Sequence, residues 1–522
     1  MIREISRRKC LRLWLCKPEY MERTKWENRF VLLRFRKKNY MMFLKDLKRF
    51  KMERLYDKLK AYSESDFYAF HMPGHKRNKA ILGIELPYDL DITEIDGFDD
   101  LHHADGILKE EQERAARVFG AEESHFLVNG STAGILSAVM GCTHRGDKIL
   151  VARHCHKSIY HAIYMNGLVP RYVYPEFDIS MHMNGEISKE DVAKALAAEP
   201  DIKAVVIVSP NYDGVVSDVK GIAEVAHSYR IPLIVDEAHG PHFGFHPAFP
   251  GRANDLGADV VINSLHKTLP SLTQTAILHI NGKIVNRRRI KKYLDMLQSS
   301  SPSYIFMASL DACVDFVDGK CENAFELYVE RLQKFREELK PLQHLQILRT
   351  EHYDISKVVI STANANITSP ELADRLRKEY HLEMEMTGGT YVLAMTTVAD
   401  TQEGLDRLKA ALLEIDGQLE AKTAVSGSIE ISGELPRLEQ YFTPQEAADR
   451  EEDGEAEEIP WKESEGHISL EYAYLYPPGS PVIVPGERIS REAVELLCYY
   501  ETQNLQIEGI QTEGKIKVWK HE

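Results

Sequence analysis

Between about residues 106 and 280, short apolar runs rich in β-branched side chains alternate with longer amphipathic segments. The apolar runs read HFLVNG, KILVARHCH, VPRYVYP, KAVVIVSP, IPLIVDEAH, DVVINSLHK and QTAILHI, and the longer segments include GILKEEQERAARVF, STAGILSAVMG, KSIYHAIYMNG and VKGIAEVAHSY. Continuously apolar strands separated by helices are typical of a mostly parallel sheet with helices on both faces. The pattern therefore predicts a large α/β domain over residues 106–340.

After about residue 340, shorter elements predict a smaller C-terminal α/β domain over residues 341–522. Strand-like LQILRT, KVVISTA and TYVLAMTTV accompany helix-like SPELADRLRKEY and TQEGLDRLKAALLEIDGQLEA. The acidic stretch 447–460 predicts a solvated loop. The Pro- and Gly-rich segment YPPGSPVIVPGE (476–487) predicts turns, and LQIEGIQTEGKIKVWK predicts a terminal β-hairpin.

Charge distinguishes residues 1–51 from the rest of the chain and indicates that they are an appended segment. Of the 522 residues, 43% are hydrophobic and 28% are charged, the mix of a globular protein with a substantial core. Net charge is −15, but residues 1–51 carry 17 basic and 5 acidic side chains, so they contribute +12 and the remainder −27. The acidic remainder disfavours nucleic acid and anionic lipid as partners. We expect 1–51 to be either a non-native upstream stretch, with translation starting near Met52, or an arm for nucleic acid or a membrane surface.

The cysteines and apolar runs indicate a cellular compartment. Seven scattered cysteines without a CxxC pair favour reduced thiols. No apolar run approaches the ~18 residues that a membrane span requires. We therefore expect a cytoplasmic protein without a membrane anchor.

Polar residues follow several of the predicted strands directly. They are Asn129 to Thr132, His156, Asp236, and the group Ser264, His266 and Lys267. Ligands of open α/β sheets bind at the carboxyl ends of the strands, so these side chains predict one shared site.

Gly130, Ser131 and Thr132 lie between a strand and a helix. A glycine lets the backbone approach an anion, two hydroxyls can donate to it, and the helix start presents free N–H groups. A phosphate fits this arrangement, although ordinary N-capping by Ser131 or Thr132 explains the same residues.

Asp236 and Lys267 have both a structural and a chemical interpretation. A carboxylate at the end of a buried strand needs a partner, which is either a neighbouring donor or the protonated pyridine nitrogen of a cofactor. A lysine at a strand end is either solvated or, when buried, an amine with a lowered pKa that can form a Schiff base. The two residues and the anion cup together predict a pyridoxal phosphate site, with His156 placed to stack on the ring.

A metal site is the competing interpretation of the histidines. His154 with His156, or His239 with His242 and His246, offer closely spaced imidazoles. Neither set has a cysteine or acidic ligand at a recognised spacing, and Gly and Pro residues interrupt the second set. We therefore predict no metal.

At this point the sequence resembles the Orn/Lys/Arg decarboxylase family of fold type I pyridoxal phosphate enzymes, from about residue 52 to the C-terminus. The matching strings are FHMPGHK, DITEIDGFDDLHH, NGSTAG, HKS, DEAHG, SLHK with SLTQ, SSSPSY and YPPGSPVIVPGE. The chain looks most similar to the short bacterial arginine decarboxylases, which lack the amino-terminal wing domain of larger members.

The resemblance implies a role for each matched residue. Lys267 is the lysine that bonds to the cofactor, Asp236 meets its pyridine nitrogen, and His156 stacks on its ring. Its phosphate is assigned to Ser131, Thr132, Ser264 and His266, with Gly130 in the same cup. A Trp replaces His239 in larger members, and His239 or Lys267 is the candidate to protonate Cα. Glu487 is the candidate to meet the substrate's distal cation.

The implied reaction is decarboxylation of a basic amino acid, most simply arginine to agmatine and carbon dioxide. Lysine and ornithine are alternative substrates, and an aminotransferase or a non-catalytic paralogue is a more distant alternative. The resemblance also implies a homodimer or larger homo-oligomer with shared sites. Residues 52–105, which include FHMPGHK, are expected to reach an active site, and FHMPGHK and SSSPSY to complete that of a neighbouring subunit.

Overall fold

The computed structural model describes residues 54–178, 183–348, 350–422, 435–475, 479–502 and 505–520. The predicted extension 1–51 lies outside these ranges. Residues Leu55–Glu522 form a single compact unit.

A seven-stranded sheet organises the first part of the unit, in the order β1-β9-β8-β7-β6-β2-β3. Strand β9 runs antiparallel to both of its neighbours, and the other pairs are parallel. The strands are β1 (Glu123–Leu127), β2 (Lys148–Ala152), β3 (Val169–Val173), β6 (Val205–Val208), β7 (Leu233–Asp236), β8 (Val260–Asn263) and β9 (Ala276–Ile280), while β4 (Phe177–Asp178) and β5 (Met183–Asn184) pair apart from the sheet. The predicted large α/β fold with a mostly parallel sheet is confirmed.

Helices accompany these strands as the amphipathic segments predict. They are α1 (Leu55–Ser63), α2 (Ile107–Phe119), α3 (Gly130–Cys142), α4 (Lys157–Met165), α5 (Lys189–Ala198), α6 (Val219–Ser228), α7 (Leu265–Thr268), α8 (Arg287–Leu297), α9 (Tyr304–Val317) and α10 (Glu322–Glu338). The central strands β6, β7 and β8 are buried at every position, so helices must cover both of their faces. Burial of this kind is the main favourable contribution to folding.

A second sheet follows, in the order β10-β11-β13-β12, with all pairs antiparallel. Its elements are β10 (Gln346–Ile347), β11 (Lys357–Ser361), α11 (Ser369–Tyr380), β12 (Met386–Thr387), β13 (Tyr391–Met395) and α12 (Gln402–Asp416). Helix α11 begins with a capping box between Thr368 and Glu371.

From residue 435 onward, the described residues form small sheets and two helices. The elements are β14 (Glu439–Gln440), α13 (Pro444–Glu452), β15 (Ala456–Pro460), a 3₁₀ turn (Trp461–Glu463), β16 (Ala473–Leu475), β17 (Pro481–Ile483), β18 (Glu487–Arg488), α14 (Arg491–Thr502), β19 (Ile507–Glu508) and β20 (Lys515–Trp519).

Two local predictions in this part were wrong. The acidic stretch 447–460 is not a loop: Thr443 and Glu446 form a capping box that starts α13, and β15 then pairs with β20. The terminal residues do not form a hairpin, because β19 pairs with β16 while β20 pairs with β15. A local capping box starts α13, whereas strand partners distant in sequence determine the pairing of β15, β19 and β20.

The five cysteines of the described residues are all free thiols. Within the same ranges, no helix combines the length and the apolar character needed to cross a membrane.

Candidate active site

A pocket opens where several strands of the main sheet end. Its lining comprises Ser131, His154, His156, Val208, Tyr212, Asp236, Ala238, His239, Lys267 and Ser480. Strand register explains the convergence, because Val208 lies opposite Asp236 and Asp236 opposite Ile262, so that neighbouring strands end side by side. Five of the predicted residues line this pocket, namely Ser131, His156, Asp236, His239 and Lys267.

Lys267 lies in α7, a single helical turn that follows β8. Its backbone N–H donates to the Ser264 carbonyl at 3.1 Å, and its Nζ lies 2.9 Å from Nε2 of His239. Burial lowers the pKa of the Lys267 amine, and the nearby Asp236 carboxylate only partly opposes this effect. A lowered pKa raises the fraction of neutral amine, which is the nucleophilic form.

Asp236 is the last residue of β7 and is only 3% exposed. One carboxylate oxygen, Oδ1, accepts a hydrogen bond from the Ala238 N–H at 3.1 Å, and no described cation forms an ion pair with it. Burial raises the pKa of Asp236, while the charge of Lys267 opposes the increase. Since a buried carboxylate needs a cationic or donor partner, the Asp236 carboxylate is suited to pair with the protonated ring nitrogen of a pyridine cofactor.

The start of α3 has the features of an anion site. Gly130 has φ +74° and donates its N–H to the Gln274 carbonyl at 2.9 Å. The N-cap residue is Asn129, whose side chain makes no capping bond and instead accepts from the Ser299 N–H. Capping by Ser131 or Thr132, the alternative from sequence, is therefore not observed; Ser131 faces the pocket and Thr132 is exposed.

Ser264 directly follows β8, and His266 lies beside Lys267 in α7. The Ser264 hydroxyl is fully buried and has no hydrogen-bond partner among the described atoms. Nδ1 of His266 lies 2.8 Å from the Thr275 carbonyl, which fixes the ring. An orphaned hydroxyl and an uncapped helix start fit a phosphate, because each supplies a donor that is otherwise unsatisfied.

His156 forms part of the wall of the pocket as the N-cap of α4. Its Nδ1 accepts from the Ser158 N–H at 3.2 Å and lies 2.9 Å from the Ser158 hydroxyl. Burial lowers the pKa of His156 to about 4, so the ring is neutral near pH 7. A neutral ring held by its own helix start is suited to stacking on a flat cofactor.

Three residues near His239 were missed by sequence reasoning. Tyr212 lines the pocket with its ring centroid 4.6 Å from that of His239, and its hydroxyl donates to the carboxylate of Glu385. Lys357, fully buried, places Nζ 2.8 Å from Nδ1 of His239. Tyr212 follows β6, so the strand-end rule could have identified it. Lys357 and Glu385 reach the site from the second sheet, and no local pattern marks them.

Glu487 lies in an environment different from the predicted one. It is fully buried, and its two oxygens accept from Nη1 and Nη2 of Arg153 at 2.7 and 2.8 Å. A third bond comes from the Val484 N–H at 2.8 Å. Glu487 is not part of the pocket lining, and the YPPGSPVIVPGE segment contributes Ser480 to it instead. With its oxygens bound within the protein, Glu487 is placed to join the C-terminal segment to the main sheet.

Of the histidines of the competing metal interpretation, His154, His156 and His239 line the pocket, whereas His242 and His246 have other contacts. His242 lies between the Thr268 hydroxyl and Asp354, and His246 contacts Glu326. Within the described ranges, no group of three or more histidine, cysteine, aspartate or glutamate side chains is arranged to hold a metal ion.

Comparison with known proteins identifies the relatives of this chain. The model of the Orn/Lys/Arg decarboxylase major domain matches residues 53–421, and that of the Orn/Lys/Arg decarboxylase C-terminal domain matches residues 433–514. An arginine decarboxylase of Bacillus subtilis (strain 168) is 33% identical over 471 residues, covering 87% of this chain and 95% of the relative. An arginine decarboxylase of Bacillus anthracis is 32% identical over 489 residues, which cover 89% of this chain and 97% of that relative.

Solved structures confirm the fold. The constitutive lysine decarboxylase of Escherichia coli superposes with a TM-score of 0.76 at 20% identity, covering 96% of this chain and 86% of that one. The lysine decarboxylase of Francisella novicida superposes with a TM-score of 0.75 at 20% identity, covering 89% of this chain and 80% of that one.

Proposed function

The chain belongs to the Orn/Lys/Arg decarboxylase family, and we propose that it converts arginine to agmatine and carbon dioxide with pyridoxal 5′-phosphate as cofactor. The observation that carries this proposal is the meeting of Lys267, Asp236 and Ser131 in one pocket at the ends of the parallel strands. An amine, an acid and an anion cup are the three groups that this cofactor requires.

Each part of the pocket has a defined task in this proposal. Lys267 supplies the amine that bonds to the cofactor, Asp236 keeps a proton on its ring nitrogen, and Ser131 and Ser264 donate to its phosphate. When bound, the cofactor supplies a conjugated ring that accepts the electron pair released with carbon dioxide. The protein contributes orientation and preorganised charge. Lys267 and His239 then provide the proton that Cα needs in place of the lost carboxylate.

We propose that Glu385, rather than Glu487, meets the distal cation of the substrate. Glu385 is exposed, and it accepts a hydrogen bond from Tyr212, which lines the pocket. Burial lowers the pKa of Lys267, and the charge of Glu385 partly opposes this effect, which requires proximity. A carboxylate can pair with a guanidinium through two parallel hydrogen bonds or with an ammonium through one. The names of the Bacillus relatives favour arginine, and those of the superposed structures keep lysine as the alternative.

The proposed reaction is tested with the full chain and pyridoxal 5′-phosphate. Arginine, lysine and ornithine, each labelled at the carboxylate, are supplied in parallel, and labelled carbon dioxide and the amine product are measured. We expect stoichiometric release of carbon dioxide and agmatine, with arginine giving the highest kcat/KM. Turnover without labelled carbon dioxide would indicate an aminotransferase instead.

Replacing Asp236 by alanine is expected to lower kcat by at least about 100-fold, because the ring nitrogen loses the charge that keeps it protonated. The phosphate donors remain, so the variant should retain part of its cofactor absorbance. Asp236→Glu, which keeps a carboxylate, serves as the matched variant and should retain more activity. A near-normal kcat for Asp236→Ala would refute the assigned role.

Replacing Glu385 by glutamine should raise KM for arginine about 10- to 100-fold with a small change in kcat, because a charged hydrogen bond contributes about 1.5–3 kcal/mol. Glu383→Gln is the control, since Glu383 is also exposed and lies two residues away. Equal KM values for the two variants would assign the substrate's cation to another group.

The oligomer is also part of the proposal. Several large apolar side chains near the predicted subunit contact are strongly exposed: Phe67 (68%), Tyr68 (70%), Phe70 (89%), Met72 (64%), Ile81 (74%) and Leu82 (60%). Exposed apolar clusters of this kind mark interaction surfaces. We propose that a second copy of the chain covers them, and light scattering that finds a monomer at assay concentration would exclude it.

A further inference from the structure

Lys357 is a buried lysine without a carboxylate partner. Its residue is 0% exposed, and the described residues supply no ion pair to its ammonium. Two of the carboxylates whose charges act on Lys357 are bonded elsewhere, Asp213 to the Tyr391 hydroxyl and Asp354 to His242. The hydrogen bond of Nζ goes to Nδ1 of His239 at 2.8 Å. A buried amine at such a position is unusual and costly, which points to a use.

The fold holds this side chain in place. Lys357 is the first residue of β11, and its carbonyl accepts from the Tyr353 hydroxyl at 2.9 Å and from Arg336 at 2.6 Å. The aliphatic part of the Lys357 side chain packs directly against Gly214, which has φ +107°. A Cβ at position 214 would lie only 2.7 Å from Cγ of Lys357. Nζ is therefore directed at His239 from a fixed backbone.

The hydrogen bonds limit how many protons Lys357, His239 and Lys267 can hold together. The imidazole of His239 lies between two amines. Its Nδ1 is 2.8 Å from Nζ of Lys357, and its Nε2 is 2.9 Å from Nζ of Lys267. An ammonium only donates, and a neutral imidazole has one N–H and one acceptor nitrogen. The bond in which the imidazole donates thus requires a neutral amine, so one of the two lysines is unprotonated.

Burial and the two lysines together make the doubly protonated imidazole unfavourable, and they lower the pKa of His239 well below its ordinary value. Burial also lowers the pKa of Lys357 to about 8, although Asp354, Glu385 and Asp213 oppose the shift. Burial lowers the pKa of Lys267 as well, and the imidazole of His239 links the two amines.

We propose that Lys357 is a positioning residue that stores the proton destined for Cα and passes it through His239 to Lys267. This inference rests on the proposed decarboxylation. In the transfer, Nδ1 of His239 takes a proton from the Lys357 ammonium while Nε2 releases its proton to the neutral Lys267 amine. Lys267 then gives one proton to Cα, where it replaces the carboxylate that leaves as carbon dioxide. Before Lys267 bonds to the cofactor again, solvent protonates its free amine, and the reverse path returns that proton to Lys357.

Activity of the holoenzyme tests the relay with three variants. Lys357→Met removes the stored proton, Lys357→Arg keeps the charge in a group that does not release a proton, and His239→Gln keeps a donor and an acceptor but cannot transmit a proton. We expect each to lower kcat about 100-fold, with an increased solvent deuterium isotope effect, KM within about 3-fold and cofactor absorbance retained. Restoration of kcat in Lys357→Arg, or a normal kcat in His239→Gln, would overturn the relay.

A second measurement needs neither cofactor nor substrate. In the cofactor-free protein, acetylation of Lys267 is followed against pH by mass spectrometry. Lys357→Met should move the midpoint to higher pH, because Lys267 loses a cationic neighbour, and Lys357→Arg should leave it near the wild-type value. An unchanged midpoint in Lys357→Met would refute the coupling. If the wild-type chain decarboxylates none of the three amino acids, the proposed function fails, while this titration still decides whether the lysines are coupled.

Discussion

Lys267→Ala is expected to reduce decarboxylation at least about 1,000-fold and to abolish the visible absorbance of the cofactor, because in the proposed reaction this side chain supplies both the covalent attachment and a proton donor. The geometry supports both tasks. Nζ of Lys267 lines the pocket and contacts Nε2 of His239, and burial lowers the pKa of the amine toward the range in which it reacts.

The measurement combines steady-state product assays with an absorbance spectrum and a thermal unfolding curve. Lys292→Ala is the matched control, since Lys292 is an exposed lysine on α8, outside the pocket lining. It should leave turnover and absorbance unchanged. If Lys267→Ala kept visible absorbance and substantial turnover, another amine would hold the cofactor and the assignment would fail.

Much of the pocket could be predicted because of a rule about sheets. In a parallel sheet, every strand places its carboxyl end at the same edge, so residues such as Ser131, Asp236 and Lys267 converge although 136 positions separate the first from the last. Their local context is sufficient for the prediction: an apolar strand, then a polar residue.

The residues that were missed come from the second sheet. Lys357 begins the apolar strand β11, where a sequence pattern gives no reason to expect an amine pointing at His239. Its position depends on how the second sheet packs against the first, which is a property of tertiary structure. Glu385 reaches the pocket through Tyr212 for the same reason. Periodicity describes each element but not the contacts between sheets.

Glu487 is a different case, in which a motif predicts contact with the substrate while the observed bonds to Arg153 favour a structural role. Its partner Arg153 lies 334 positions earlier in the chain, directly after β2. The guanidinium also donates to the Val482 carbonyl at 2.8 Å and lies 4.7 Å from the ring centroid of Tyr172. No sequence window could contain both charges of this pair.

Glu487→Gln is therefore expected to destabilise the protein by about 3–5 kcal/mol, because it leaves the Arg153 guanidinium buried without a countercharge. The side chains of Arg153 and Glu487 are only 2% and 0% exposed, so water cannot replace the missing carboxylate. Denaturant and thermal unfolding measure the loss. We expect KM for arginine to stay within about 3-fold of wild type in the protein that remains folded.

Glu439→Gln is the matched control, since Glu439 pairs with Arg488, the residue after Glu487, across an exposed contact of 3.1 Å. Screened surface pairs contribute little, so its unfolding midpoint should hardly change. The double variant Arg153→Met with Glu487→Leu should recover much of the lost stability, because apolar groups of similar volume can replace a buried pair. A stable Glu487→Gln with a greatly increased KM would return Glu487 to the substrate site and exclude Glu385 from that role.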